Sequence, residues 1–196
     1  MTTDSASVLI AEDEPDLADL YASRLEDQYD VETAYDGTEA LEAIDEDTDV
    51  VLLDRRMPEL SGDLVLETIR LEGFDCRVAM VTAIEPDFDI VSMGFDDYLV
   101  KPVSKAELLG VIEQLLLRSS YETQLQEFFS LASKKVVLDR QKSEAERKSS
   151  HEYAQLEDRL AVSRVELDET VSELFDQNDY RQLCRDITRE SILGEE

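Results

Sequence analysis

The sequence predicts an open, doubly wound α/β sheet of five parallel strands, followed by a helical hairpin or short coiled coil. Two contrasts carry this reading. Up to about residue 118, short β-branched runs alternate with amphipathic stretches, the pattern of successive βαβ units. Beyond Arg118 there is no proline, and no glycine until Gly194, a texture that suits long helices rather than another α/β unit.

The strand candidates are Val8 to Ala11, Val31 to Tyr35, Val50 to Leu53, Val78 to Val81 and Asp97 to Val100. The first, third and fourth are almost wholly apolar, as strands covered on both faces must be. Pro15 suits the first turn of a helix, and Leu17, Leu20, Tyr21 and Leu25 repeat at three and four after it. Asp36 with Glu39 and Ser104 with Glu107 have capping-box spacing, opening the second and fifth helices. Leu64, Val65, Ile69 and Leu71 mark the third, and Pro86 to Met93 a shorter fourth. In the second half, Tyr121, Leu125, Phe128, Phe129, Ala132 and Val136 form one stripe. Leu156, Leu160, Leu167, Val171 and Leu174 form a second, near-heptad one, and Ser149-Ser150-His151-Glu152 can cap its start. The stretch from Asp139 to Ser150 is polar and reads as the connection.

Charge narrows the possible partners. A formal net charge of −29, from 48 acids against 19 lysines and arginines, repels phosphate backbones and anionic lipid. Such an acid excess suits a surface adapted to high salt, where screening limits self-repulsion. The local basic cluster Lys134, Lys135, Arg140, Lys142, Arg147 and Lys148 is interleaved with Asp139, Glu144 and Glu146, which favours a salt-bridged face over a nucleic-acid site. Cys76 and Cys184 have no metal-ligand spacing and read as inert thiols, and His151 has no supporting neighbours. The N-terminus has no signal-peptide pattern, and no run approaches about 18 apolar residues, so a cytoplasmic location is expected.

An α/β sheet places its ligand site beyond the carboxyl ends of its strands, where strand order reverses. Four features fall there: Glu12-Asp13 after the first strand, Asp54 after the third, Thr82 at the end of the fourth and Lys101-Pro102 after the fifth. A lone acid at a strand end is ordinarily a solvated loop residue or helix cap. Three acids gathered on one rim repel one another unless a cation joins them, and an all-oxygen set suits Mg²⁺. Asp13 and Asp54 are expected as direct ligands, Glu12 through water, and the backbone carbonyl of Arg56 as a further ligand. Lys101 is expected to hold a transferred phosphoryl oxygen and Thr82 to donate its hydroxyl to another, with Pro102 suggesting a constrained, even cis, turn behind Lys101.

Residues 7–118 resemble a two-component receiver domain, with a flavodoxin-like (βα)5 fold. The matching segments are Val8-Leu9-Ile10-Ala11-Glu12-Asp13-Glu14-Pro15, Leu52 to Gly62 around Asp54, Thr82-Ala83, and Asp97-Tyr98-Leu99-Val100-Lys101-Pro102. The resemblance implies phosphoryl transfer from a sensor histidine kinase to Asp54, hydrolysis by the receiver itself, and a switch in which Thr82 and Tyr98 move. Glu12 departs from the commoner Asp of the family. Residues 121–186 resemble the HalX-type helical domain of haloarchaeal regulators around Tyr121 to Lys135 and Tyr153 to Leu160, with residues 187–196 as an acidic tail. That family implies no defined activity. The expected output is a protein contact or homodimer made by the helices, with DNA binding by a transcriptional regulator as the alternative. A phosphatase with an Asp nucleophile fits poorly, because such sites carry a second Asp where this chain has Arg56.

Overall fold

The computed structural model describes residues 5–176, which divide into two units near residue 116. The first unit holds β1 (Ser7–Ala11), α1 (Pro15–Leu25), β2 (Asp30–Ala34), α2 (Gly37–Ala43), β3 (Val50–Leu53), α3 (Gly62–Glu72), β4 (Arg77–Thr82), a 3-10 segment (Phe88–Ser92) and β5 (Asp97–Val100). A long helix, α4 (Lys105–Gln141), contributes its first turns to this unit and the remainder to the second. All five strands are parallel in the order β2-β1-β3-β4-β5, so the chain reverses direction across the sheet between β1 and β3.

Strict alternation of β1, β3 and β4 side chains splits the core into two layers. Val8, Ile10, Val50, Leu52 and Val81 pack under Tyr21 and Leu25 of α1 and Leu108, Ile112 and Leu115 of α4. Leu9, Val51, Leu53, Val78 and Met80 pack under Ala40 of α2 and Val65, Leu66 and Ile69 of α3. Each fully buried Leu, Ile or Val contributes roughly 1.5–3 kcal/mol. That is why the central strands carry apolar residues at consecutive positions and why their register cannot slip.

Two helical expectations of the first unit need correction. The expected fourth helix over Pro86 to Met93 is a 3-10 segment, Phe88–Ser92, with Phe88 and Val91 91% and 84% exposed. With no apolar face to bury, it cannot recruit the packing that most helical stability requires. In α3 the buried face uses Leu66, while Leu64 and Leu71 point to solvent. Asp36 caps α2 through Thr38 and Glu39 N–H groups as anticipated, but the Glu39 carboxylate accepts from Tyr35 N–H rather than from the cap residue itself. Ser104 and Glu107 form the reciprocal pair at the start of α4. Cys76 is buried, and burial pushes its thiol pKa up; Cys184 lies outside the described residues, as does the 187–196 tail.

In the second unit, α4 is followed by α5 (Glu144–Ser149) and α6 (His151–Asp176). The polar connection thus contains a short helix of its own, opened by a Ser143–Glu146 capping box. Ser150 caps α6 through the Tyr153 N–H. The α4–α6 pairing is antiparallel: Asp139 accepts from Tyr153, Lys135 pairs with Glu157, Arg159 with Glu127, and Thr170 donates to Gln124. The packed seam of α4 runs through Gln124 and Leu131; of the expected stripe, Tyr121, Leu125, Phe128 and Ala132 are half-buried, while Phe129 and Val136 are 60% and 46% exposed. The seam was hidden because two of its positions are polar: Gln124 and Lys135 satisfy their heads on Thr170, Asp139 and Tyr153. On α6, Leu156 is buried as expected, together with Tyr153, Ser163 and Thr170.

Gly62 opens α3 with its N–H on the Arg55 carbonyl; a Cβ there would lie 2.0 Å from the Asp54 carbonyl oxygen. Gly62→Ala is therefore expected to cost about 1–3 kcal/mol in urea unfolding, as overpacking against rigid backbone does. In the hairpin, the Ser143 backbone N–H, its hydroxyl and Lys142 together hold the Glu146 carboxyl down at about 2, against an ordinary 4.5. A depressed carboxylate stabilises above its unfolded value and stops doing so as pH falls through its folded one. The difference in melting temperature between wild type and Glu146→Ala is thus expected to be full at neutral pH and to shrink between pH 4.5 and 2.

Candidate functional site

The sheet delivers the site by extending its own ladder one residue beyond each strand. Glu12 N–H donates to the Ala34 carbonyl at 3.0 Å, Asp54 N–H to Ala11 at 2.9 Å, and Lys101 N–H to Thr82 at 2.8 Å. Since Ala11 pairs with Leu53 and Thr82 with Val100, the residues that follow emerge on one rim beside the strand-order reversal. Residues far apart in sequence thereby meet.

At the centre lies the Lys101 ammonium. Its Nζ is 2.5 Å from Glu12 Oε2 and 2.6 Å from Asp54 Oδ2. Glu12 and Asp54 are only 2% and 7% exposed, while Asp13 is half-buried beside them. The other Asp54 oxygen, Oδ1, accepts from the Arg56 backbone N–H at 3.1 Å. Burial disfavours the ammonium, but the hydrogen bonds it donates to Asp54 and Glu12 outweigh that and hold the Lys101 pKa above its ordinary value. For Glu12 burial is the larger influence, raising its pKa against the pull of Lys101. Thr82 is buried, and its Oγ1 accepts from Ile84 N–H at 3.4 Å. The Lys101–Pro102 peptide is cis, as the sequence suggested.

Glu12, Asp13 and Asp54 each offer a carboxylate oxygen within 4.8 Å of the others, and among the described residues they are the acidic cluster so arranged. Three carboxylates against one ammonium leave a formal excess of two negative charges in a half-buried pocket. An all-oxygen set with that excess fits a hard divalent cation such as Mg²⁺. Lys101 bridges the two buried acids on one side, while half-buried Asp13 leaves the other side open toward solvent.

The remaining expected residues stand around this core. The Arg56 side chain is exposed at the rim of an open depression of about 1000 Å³, which Asp13, Met57 and Ile84 also line. Tyr98 is half-buried, with its hydroxyl donating to the Ile84 carbonyl at 2.9 Å and its ring 5.5 Å from that of Phe95. Arg55 escaped sequence reasoning. It bonds Asp63 of α3 at 3.0 Å and also Asp89 of the 3-10 segment, tying both to the loop after Asp54. Neighbouring arginines were visible in the sequence, but their partners are set by tertiary placement alone.

Comparison with known proteins agrees with this geometry. A family model described as the response regulator receiver domain matches residues 8–113, and one described as the HalX domain matches residues 117–184. The chain belongs to the response regulator receiver family, and its receiver domain is followed by a HalX domain. A Haloferax volcanii protein whose name proposes a transcriptional regulator is 46% identical over 190 residues, which cover 94% of this chain and 32% of that protein. The transcriptional regulatory protein CpxR homolog of Haemophilus influenzae is 39% identical over 119 residues, covering 59% of this chain and 52% of its own length. The chain therefore spans about a third to a half of the length of these curated relatives. The crystal structure of a CheY-like response regulator receiver domain protein from Methanospirillum hungatei superposes with a TM-score of 0.55 at 27% identity, covering 59% of this chain and 97% of that one. No helix among the described residues is long and apolar enough to cross a membrane.

A cation that binds the folded pocket and not the unfolded chain raises stability by mass action, about 2.7 kcal/mol at a hundredfold excess over its dissociation constant. Mg²⁺ is expected to raise the melting temperature of the wild type measurably. Asp13→Asn, which removes one charge from the open side of the cluster, is expected to abolish that rise.

Proposed function

We propose that this chain is a response regulator of a two-component system, which accepts a phosphoryl group on Asp54 from a phosphohistidine of a sensor kinase in the cytoplasm. The observation that carries the reading is the Lys101 ammonium bridging Glu12 and the buried Asp54, with Asp13 alongside. An Asp54 carboxylate oxygen attacks phosphorus, the phosphorus–nitrogen bond to the kinase imidazole breaks, and an acyl phosphate forms. Water later attacks the same phosphorus, returning inorganic phosphate and the free carboxylate. The protein thus acts on itself rather than on a diffusing substrate.

Each residue has a distinct part in this reading. Glu12, Asp13 and Asp54, with the backbone carbonyl of Arg56, would hold Mg²⁺, whose positive charge offsets that of the incoming phosphoryl oxygens. Arg56 N–H, already on Asp54 Oδ1, orients the carboxylate for attack. Lys101 exchanges its contact with Asp54 for a phosphoryl oxygen, a fixed charge in a half-buried setting where it acts strongly. Thr82 turns its hydroxyl from Ile84 N–H to another phosphoryl oxygen. Because Tyr98 is tied to the Ile84 carbonyl, movement of that loop frees the Tyr98 ring to shift as well. The receiver is taken as residues 7–118 and the helical output domain as 121–186.

Output through protein contacts is the preferred reading for the helical domain. Of its cationic cluster, Lys135, Lys142, Arg147 and Lys148 are each engaged with a carboxylate, leaving little free charge for phosphate backbones. DNA binding is the second reading, favoured by relatives whose names describe transcriptional regulators. Incubation with acetyl phosphate and Mg²⁺ is expected to add the mass of one phosphoryl group to the wild type and nothing to Asp54→Asn. An unmodified wild type, with folding confirmed by circular dichroism, rules the reading out.

A further inference from the structure

An apolar stripe of α4 that the hairpin covers only in part, with Leu125 and Ala132 half-buried but Phe129 and Val136 exposed, points to a partner. Leu125, Phe129, Ala132 and Val136 follow one another at four, three and four residues, so they form a continuous line about a quarter-turn from the seam through Gln124 and Leu131. Phe129 is 60% exposed and Val136 46%, and the Phe129 ring is braced edge-on by Phe128 at 6.0 Å. A helix with two apolar lines belongs to a bundle of more than two helices, and among the described residues α6 is the one long helix paired with it.

We propose that a second copy of this chain covers the stripe, pairing α4 with α4 in antiparallel fashion to make a four-helix bundle from two hairpins. Shape favours the second copy. Antiparallel registration about a point between Phe129 and Ala132 sets each Phe129 ring over the small Ala132 of the other chain, and each Leu125 beside Val136. Charge favours it too. Glu122 and Arg140 are eighteen residues apart, five whole turns at about 3.6 residues each, so they edge the stripe along the same line. The same registration brings Glu122 of each chain next to Arg140 of the other, so the two-fold axis generates the pair twice. Arg140 meets no carboxylate among the described residues, although most cations around it do, and Glu122 is already held by another contact. A parallel arrangement would set like charges and like bulky rings against each other instead.

The cost of bringing together two chains of net charge −29 makes association salt-dependent. At about 1 M KCl the Debye length is about 3 Å, and the pairing is expected to be evident there. Sedimentation equilibrium of the full chain under those conditions should give twice the monomer mass of 22.3 kDa. Phe129→Glu and, separately, Val136→Glu should each return the monomer mass with an unchanged circular dichroism spectrum, because neither side chain is part of the buried seam. Val165→Glu, at a 56% exposed position on α6, should leave the dimer intact. Arg140→Glu should weaken association about five- to tenfold, the effect of losing two exposed ion pairs, and adding Glu122→Arg should restore it. A wild type that stays monomeric at every concentration overturns the proposal, and so does a dimer that survives both Phe129→Glu and Val136→Glu. Failure of the charge exchange to restore pairing overturns the antiparallel arrangement.

Discussion

Like charges held close together in a half-buried pocket must be compensated, and in this protein the compensation comes from Lys101. Two buried carboxylates, from residues forty-two positions apart, share its ammonium at 2.5 and 2.6 Å. Removing that ammonium would leave two buried anions facing each other, at a cost of several kcal/mol. The backbone around the pocket is built to hold the group there: three strands each extend their hydrogen-bond ladder by one residue, and those residues are Glu12, Asp54 and Lys101. Rigid placement matters because a carboxylate that attacks phosphorus must already be oriented when the donor arrives.

Much of this was legible in the sequence because the relevant signals are local. Apolar runs at Val8 to Ala11 and Val50 to Leu53 identify strands covered on both faces, and the acids that follow them can only emerge at the carboxyl edge. The sequence pattern alone therefore puts Glu12, Asp13, Asp54, Thr82 and Lys101 on one rim. What could not be read is what depends on contacts distant in sequence. Arg55 looks like any surface arginine until Asp63 and Asp89 are seen to flank it. The 3-10 segment at Phe88–Ser92 carries apolar residues like a helix, yet it buries none of them. The hairpin seam is only partly legible for a related reason. Periodicity counts apolar residues, whereas the packed line of α4 includes Gln124 and Lys135, whose polar ends are satisfied across the interface.

The two units use charge in opposite ways. In the receiver, acids are concentrated around one lysine, and their formal negative excess suits a divalent cation. In the hairpin, acids and bases alternate and are consumed by one another, as in the Asp139 carboxylate, which Tyr153, Lys135 and Arg147 together hold well below the ordinary range. Among the described residues, most of the other acids are exposed, where salt screens their mutual repulsion.

Whether Asp54 takes the phosphoryl group beside a cation would be seen in a crystal structure grown with Mg²⁺ and beryllofluoride, a phosphoryl mimic. Beryllium is expected on an Asp54 carboxylate oxygen, the cation among Glu12, Asp13 and Asp54, and Lys101 Nζ drawn from Asp54 onto a fluorine. Beryllofluoride bound elsewhere, or a Lys101 still bridging Glu12 and Asp54 with no cation between the acids, would contradict phosphoryl transfer to Asp54.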